Sequence, residues 1–171
     1  HSYSSPVYAA MLDSSKAFDR VNHFHLFDKM LKRDIPKIIV RLLSVWYRSQ
    51  TFVVKWEDSY SDGFYVSNGV RQGGVLSPQL FNLFIEDLSC KLSGMKVGCI
   101  INNTCFNHLV YADDAVILAP SPSALQELVD ACEQFACEND CENDMVYNVS
   151  KSRYIAFYHH PIVACMYIRL F

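Results

Sequence analysis

The sequence has no positive charge to spare. Fifteen Lys and Arg stand against eighteen Asp and Glu, a net charge of −3 at pH 7 with a pI near 6.0. Neutralising phosphates takes clustered Lys and Arg, so this balance argues against a self-sufficient nucleic-acid binder. No apolar run approaches the ~18 residues a membrane helix requires, and no membrane partner is expected. The seven cysteines (90, 99, 105, 132, 137, 141 and 165) include no Cys-x-x-Cys pair. Their closest spacings, 132–137 and 137–141, fit no structural zinc pattern. An odd set of this kind is expected to stay as reduced thiols in an intracellular protein. The opening residues have neither an initiator Met nor a signal-peptide layout, so a fragment of a longer protein is expected. Repeats, low-complexity tracts and linkers are also missing.

What is present is apolar. Hydrophobic residues make up 51% of the 171 and charged ones 19%, the composition of one globular domain with a sizeable core. The most informative stretch is Tyr111-Ala112-Asp113-Asp114. Phe106, Leu109 and Val110 before it, and residues 115–119 after it, carry the β-branched and aromatic residues of strands. Two aspartates make poor hairpin chemistry, which favours Asn-Gly or Asp-Gly. A local rule broken at a charged point between apolar strands marks a functional site, with an ordinary acidic turn as the plain alternative.

The rest of the chain supplies possible companions. Residues 7–12 read as a buried strand that ends at Asp13, where a charge is costly unless paired or metal-bound. A helix follows with Phe24, Phe27, Met30 and Leu31 on one face, and a second opens at Pro36 with Ile38, Ile39, Leu42, Leu43 and Trp46 inward. His23 and His25, two apart, cannot share a helical face and read as surface residues. Residues 51–56 and 63–66 suggest a hairpin around a polar turn. Gly69, Gly73 and Gly74 then form a loop before Ser77, a good N-cap, and Pro78, a good first helical residue. Such a loop suits phosphate or nucleotide, but the Gly-Lys-Ser/Thr ending of a Walker loop is absent. The helix it opens buries Phe81, Phe84, Ile85, Leu88 and Leu92. Residues 97–101 and 104–111 read as strands about Asn102-Asn103, and a helix from Ser121 buries Leu125, Leu128, Val129, Cys132, Phe135 and Ala136. The acids at 140–144 lack the Gly and terminal Glu of a calcium loop. Residues 145–149 and 153–158 read as closing strands, and 161–171 as an apolar tail without an assigned element.

A strand-end aspartate, a glycine loop and an Asp-Asp hairpin together make a set that nucleotidyl transfer can use. Two Mg²⁺ ions there lower the pKa of an attacking hydroxyl and hold charge on the leaving pyrophosphate, and hard oxygen ligands suit them. The run 12–21 (Leu12-Asp13-Ser14-Ser15-Lys16-Ala17-Phe18-Asp19-Arg20-Val21), the run 69–82 with Gly69-Val70-Arg71-Gln72-Gly73-Gly74, and Tyr111-Ala112-Asp113-Asp114 resemble motifs A, B and C of reverse transcriptases. Residues 148–152 resemble the end of motif D. The wording is most similar to non-LTR (LINE-type) retrotransposons. The resemblance implies an RNA-directed DNA polymerase that uses Mg²⁺, two ions with Mn²⁺ as a substitute, to add deoxynucleotides to a DNA primer on an RNA template. It implies catalytic carboxylates at Asp13, Asp113 and Asp114, with Asp13, Ser14 and Asp113 at the metals. Phe18 would be the aromatic gate against a 2′-hydroxyl, Gln72 and Gly73 would line the nucleotide site, and Lys151 would lie near the pyrophosphate. The implied fold is α+β, a ferredoxin-like antiparallel palm sheet backed by helices, with partial fingers and no thumb. Palm would be residues 1–21 and 69–160, with a fingers-like insertion at 22–68. The implied partners also include the remainder of a retroelement polyprotein, and the implied compartment is the nucleus. A retroelement relic or co-opted binding module without catalysis is the competing reading.

Overall fold

The computed structural model describes residues 5–138 and 146–157; the acid-rich stretch, Met145, Tyr158 and the 161–171 tail lie outside them. In chain order the elements are β1 (Val7–Asp13), a 3₁₀ turn (Phe18–Arg20), α1 (His23–Lys32), α2 (Lys37–Arg48), β2 (Thr51–Phe52), β3 (Lys55–Trp56), β4 (Ser59–Tyr60), β5 (Phe64–Tyr65), α3 (Ser77–Gly94), β6 (Cys99–Ile101), β7 (Thr104–Phe106), β8 (His108–Tyr111), β9 (Asp114–Ala119), α4 (Pro122–Glu138) and β10 (Arg153–Phe157). They form two compact units, one from residues up to 17 and from 85 onward, the other from residues 18–84. No described helix is long and apolar enough to cross a membrane.

Period-two alternation builds the first unit. Its four-stranded sheet has the order β10-β1-β9-β8, antiparallel throughout. Tyr8, Ala10 and Leu12 of β1 pair with Ala119, Ile117 and Ala115 of β9, and all six are buried on one face. Helix α4 covers β1 and β9 with Leu125, Leu128, Val129 and Cys132, none more than 1% exposed. Each of these leucines contributes on the order of 2 kcal/mol by leaving water. Ser121 starts α4 as expected, its hydroxyl accepting from the Ala124 N–H. Of the alternate positions, Met11, Leu109, Tyr111, Ile155 and Phe157 are exposed while Ala9 is buried, so the other face of the sheet is only partly open.

Two strand expectations change. Residues 104–111 do not run as one strand; Asn107 interrupts them, buried, donating through its amide to the Leu92 carbonyl at 2.6 Å. β6 and β7 form a separate hairpin whose turn residues Asn102 and Asn103 both have positive φ, the type I′ requirement. Of the described residues 146–149 none is in a strand, and Tyr147 makes only a bridge to Ser14.

In the second unit Asn22 caps α1 through its side-chain oxygen, which accepts from the Phe24 N–H at 2.9 Å. The inward faces of both helices differ from the expected ones. α1 buries Leu26 and Met30, whereas Phe24 and Leu31 are exposed; α2 buries Val40, Leu43 and Tyr47, whereas Ile38, Ile39, Leu42 and Trp46 are exposed. The expected hairpin over 51–66 splits into two short ribbons, β2 with β5 and, nested inside, β3 with β4, because Glu57 takes a positive φ and turns the chain early. Phe81, Phe84, Ile85, Leu88 and Leu92 of α3 are all buried, as the periodicity predicts. Ser77 is its first helical residue rather than its cap, and its hydroxyl donates back to the Arg71 carbonyl.

Candidate active site

β1 delivers Asp13 to the end of the sheet, and the register sets it directly opposite Asp114, the first residue of β9. Facing residues in an antiparallel pair lie about 5 Å apart at Cα with their side chains on the same face. The hairpin between β8 and β9 pairs Tyr111 with Asp114, so its two turn residues are Ala112 and Asp113. The double aspartate is thus not the turn itself; only Asp113 occupies it, and Asp114 already belongs to the strand. Ala112 carries φ +53° while Asp113 is not positive, the sign pattern of a type II′ turn, where glycine is the usual first residue. An alanine held there is a local strain of about 1 kcal/mol, placed beside the acids. Tyr111 is 86% exposed.

A second loop is fastened to the same strand end. The Asp13 N–H donates to the Ser152 hydroxyl at 3.3 Å, and the Asp13 carbonyl accepts from the Asn148 N–H at 2.8 Å. Asn148 also organises the turn, its side-chain oxygen accepting from the Ser150 N–H and hydroxyl. This brings the Lys151 ammonium to 3.8 Å from the Asp13 carboxylate, with side chains 67% and 33% exposed. Asn148 and Ser152 therefore position Lys151. The Asn-x-Ser spacing of an Asx turn is the signal that could have singled them out. Ser14 is buried and one step along the chain, bridged to Tyr147, so its side chain points away from the face of Asp13.

The remaining expected residues lie in the second unit. Phe18 opens the 3₁₀ turn and stacks on Phe81 with ring centroids 4.7 Å apart and planes 14° apart. The glycine loop is bonded to that turn: Gly69 N–H donates to the Val21 carbonyl and Val70 N–H to the Phe18 carbonyl, both at 2.7 Å. Gly69 takes φ +92°, and a Cβ there would meet the Asp19 carbonyl oxygen at 2.9 Å, so glycine is required. His23, expected at the surface, instead donates through Nε2 to the Gly69 carbonyl at 2.7 Å. Gln72 and Gly73 occupy an exposed turn, Gly73 with φ +78° and nothing within 4 Å of where a Cβ would stand. Gln72 is one wall of a pocket of about 510 Å³ that Asp19, His23, Tyr47 and Arg71 also line; Phe18 and Gly73 do not. Burial pushes the Tyr47 phenol above its ordinary value, against the opposing effect of its hydrogen bond with Ser77.

Among the described residues, no three His, Cys, Asp or Glu side chains are gathered as a ready-made metal cage. Asp13, Asp113 and Asp114 are nonetheless hard oxygen donors on adjoining backbone, the kind of open set that suits a cation keeping water and phosphate ligands.

The family described as reverse transcriptase (RNA-dependent DNA polymerase) matches residues 2–156. The Pol polyprotein from the type-2 retrotransposable element R2DM of Drosophila melanogaster is 33% identical over 135 residues, covering 79% of this chain and 13% of its own length. The TX1 transposon 149 kDa protein of Xenopus laevis is 33% identical over 129 residues, 74% of this chain and 9% of that protein. The RNA-directed DNA polymerase from the mobile element jockey of Drosophila funebris is 31% identical over 136 residues, 75% and 14%. The chain thus spans roughly an eighth of such relatives. Apo telomerase from Candida tropicalis, truncated from its C-terminal domain, shares the fold with a TM-score of 0.69 at 17% identity, over 92% of this chain and 32% of that one. The motif order, the antiparallel sheet with its helices and the family match agree: the chain belongs to the reverse transcriptase family, among its LINE-type, non-LTR retrotransposon members.

Proposed function

We propose that this chain is the catalytic palm, with part of the fingers, of an RNA-directed DNA polymerase that extends a DNA primer on an RNA template with deoxynucleoside triphosphates. One observation supports the reading above all: the β1–β9 register that faces Asp13 with Asp114 beside the Asp113 turn. In this reading Asp13 and Asp113 hold two divalent ions, Mg²⁺ or Mn²⁺, with Asp114 as the third acid and Ser14 contributing its main-chain carbonyl. The ions, when bound, activate the primer 3′-hydroxyl and neutralise the triphosphate. The rest is work for the chain's own groups. Lys151, released from Asp13 when a cation takes that carboxylate, is free to meet pyrophosphate oxygens. Phe18, its ring held by Phe81, excludes a ribose 2′-hydroxyl by occupying the space it needs. The Gln72–Gly73 turn offers open backbone to the nucleotide.

The exposed Met11, Leu109 and Tyr111 on the face of the sheet that carries Asp13 are the surface this reading assigns to the primer–template duplex. We assign the palm to residues 1–21 and 69–160 and a fingers-like insertion to 22–68. The remainder of a retroelement polyprotein is the natural partner, and the nucleus the compartment where such an element is copied. The test is primer extension on poly(rA)/oligo(dT) with dTTP and Mg²⁺. Incorporation above that of Asp113→Asn is expected; incorporation equal to that variant contradicts the reading.

A further inference from the structure

Helices α1 and α2 enclose a groove of about 500 Å³ that shares only His23 with the pocket beside Gln72. Its floor is apolar, made by Phe27 and Leu31 of α1 and Val40 of α2. One wall is basic. Lys37, Arg41 and Arg48 follow one another at spacings of four and seven, so their charges form a row along one face of α2. Among the described residues none of the three side chains makes an ion pair or hydrogen bond, and the lining acid Asp28 is already paired with Lys32 at 2.7 Å. Beside this row Ile38, Leu42 and Val45 stand in a second stripe, 72%, 67% and 60% exposed, and Phe24 at the groove mouth is 76% exposed. Uncovered apolar stripes of this size mark contact surfaces.

We propose that this groove docks an acidic amphipathic helix of another protein segment. Apolar side chains at i, i+3, i+4 and i+7 of the incoming helix would fill the floor, and its flanking carboxylates would meet Lys37, Arg41 and Arg48. Charge complementarity selects this occupant. The chain as a whole is acidic, so a cation row without partners is a local attraction and not a by-product of bulk charge. The side chains around the row favour protein over nucleic acid. Single strands hold to successive aromatic plates on which bases stack; here Phe24 and Phe27 sit among the aliphatic Leu31, Val40, Ile38, Leu42 and Val45, a mixed apolar surface that suits the side chains of a helix. The proposal is independent of polymerase activity and survives a failure of primer extension.

The probe is a fluorescein-labelled synthetic peptide of roughly 16 residues, leucine on one helical face and glutamate on the other. Its binding to the full chain is followed by fluorescence anisotropy. Saturable binding is expected, weakened about tenfold by Arg41→Glu and by Lys37→Glu and reduced by added salt. A peptide with lysine in place of glutamate should not bind. Both substituted side chains are exposed, circular dichroism checks that each variant is folded, and either variant alone suffices. No saturable binding, undiminished affinity in the folded variants, or displacement of the peptide by a single-stranded oligouridylate would each overturn the proposal, the last by making the groove a nucleic-acid site.

Discussion

Asp114→Asn should stabilise the metal-free protein. Asp114 faces Asp13 across β1 and β9 and follows Asp113 directly, so three carboxylates crowd one end of the sheet. Like charges opposite one another in a sheet destabilise by up to about 1 kcal/mol, and the exposure of these side chains argues for about half of that. The two substitutions are not equivalent. Asp13 has Lys151 at 3.8 Å as partial compensation, whereas the Asp114 side chain has no ion pair or hydrogen bond among the described residues. Asp13→Asn therefore loses a weak attraction as it relieves the repulsion and comes out near neutral. Asp114→Asn keeps only the relief. For a chain of this size about 0.5 kcal/mol corresponds to a rise in Tm of about 1–2 °C. Differential scanning fluorimetry in EDTA reads the shift, and repeating it in millimolar Mg²⁺ reads the compensation, since a ligand that binds only the folded chain raises Tm. Wild type should gain more from Mg²⁺ than Asp114→Asn does. A fall in Tm for Asp114→Asn in EDTA, or an equal Mg²⁺ gain in both proteins, would show that the three carboxylates neither repel one another nor share a cation.

Three other expectations concern the surrounding chain. Gly69→Ala should cost about 2 kcal/mol, from its φ of +92° and the 2.9 Å approach to the Asp19 carbonyl, read as a lower urea midpoint; an unchanged midpoint would mean the loop relaxes freely. Burial pushes the Cys132 thiol up to about 12 and the neighbouring Tyr147 phenol up as well. Because these folded-state values exceed the unfolded ones, stability is full below about pH 8.5 and falls as pH rises toward 12. Each group contributes a slope approaching 1.4 kcal/mol per pH unit, with Cys132 acting first. Cys132→Ala should flatten urea stability measured between pH 8 and 10, and an identical slope would exclude the thiol. Phe18→Ala should raise ribonucleotide incorporation wherever extension is seen; unchanged sugar selectivity removes its gating role.

How much was legible follows from which forces are local. α3 buries every position its periodicity named and α4 all but Ala136, because each has one apolar face and α4 a clear boundary signal in Ser121. β1, expected to be buried along its length, leaves Met11 exposed. α1 and α2 defeated the same reasoning. α2 carries Ile38, Ile39, Val40, Leu42, Leu43, Val45, Trp46 and Tyr47 within one twelve-residue helix, so more than one stripe qualifies as inward. Neighbours in space, not spacing, select Val40, Leu43 and Tyr47. The hairpin at Ala112 was hidden for the opposite reason. Alanine is not a residue that signals a positive φ, and only the pairing of Tyr111 with Asp114 reveals a two-residue turn. The register of Asp13 with Asp114, a contact 101 positions apart by the difference of those numbers, depends on the whole sheet. The anchoring of Lys151 by Asn148 and Ser152 is likewise tertiary.

The most direct measurement is cation binding itself. Mn²⁺ titrated into the chain and followed by electron paramagnetic resonance should show saturable binding that Asp13→Ala and Asp113→Asn each abolish, and that Mg²⁺ displaces. Binding of unreduced affinity in both substituted proteins would show that the strand-end Asp13 and the turn residue Asp113 are not where the metal goes.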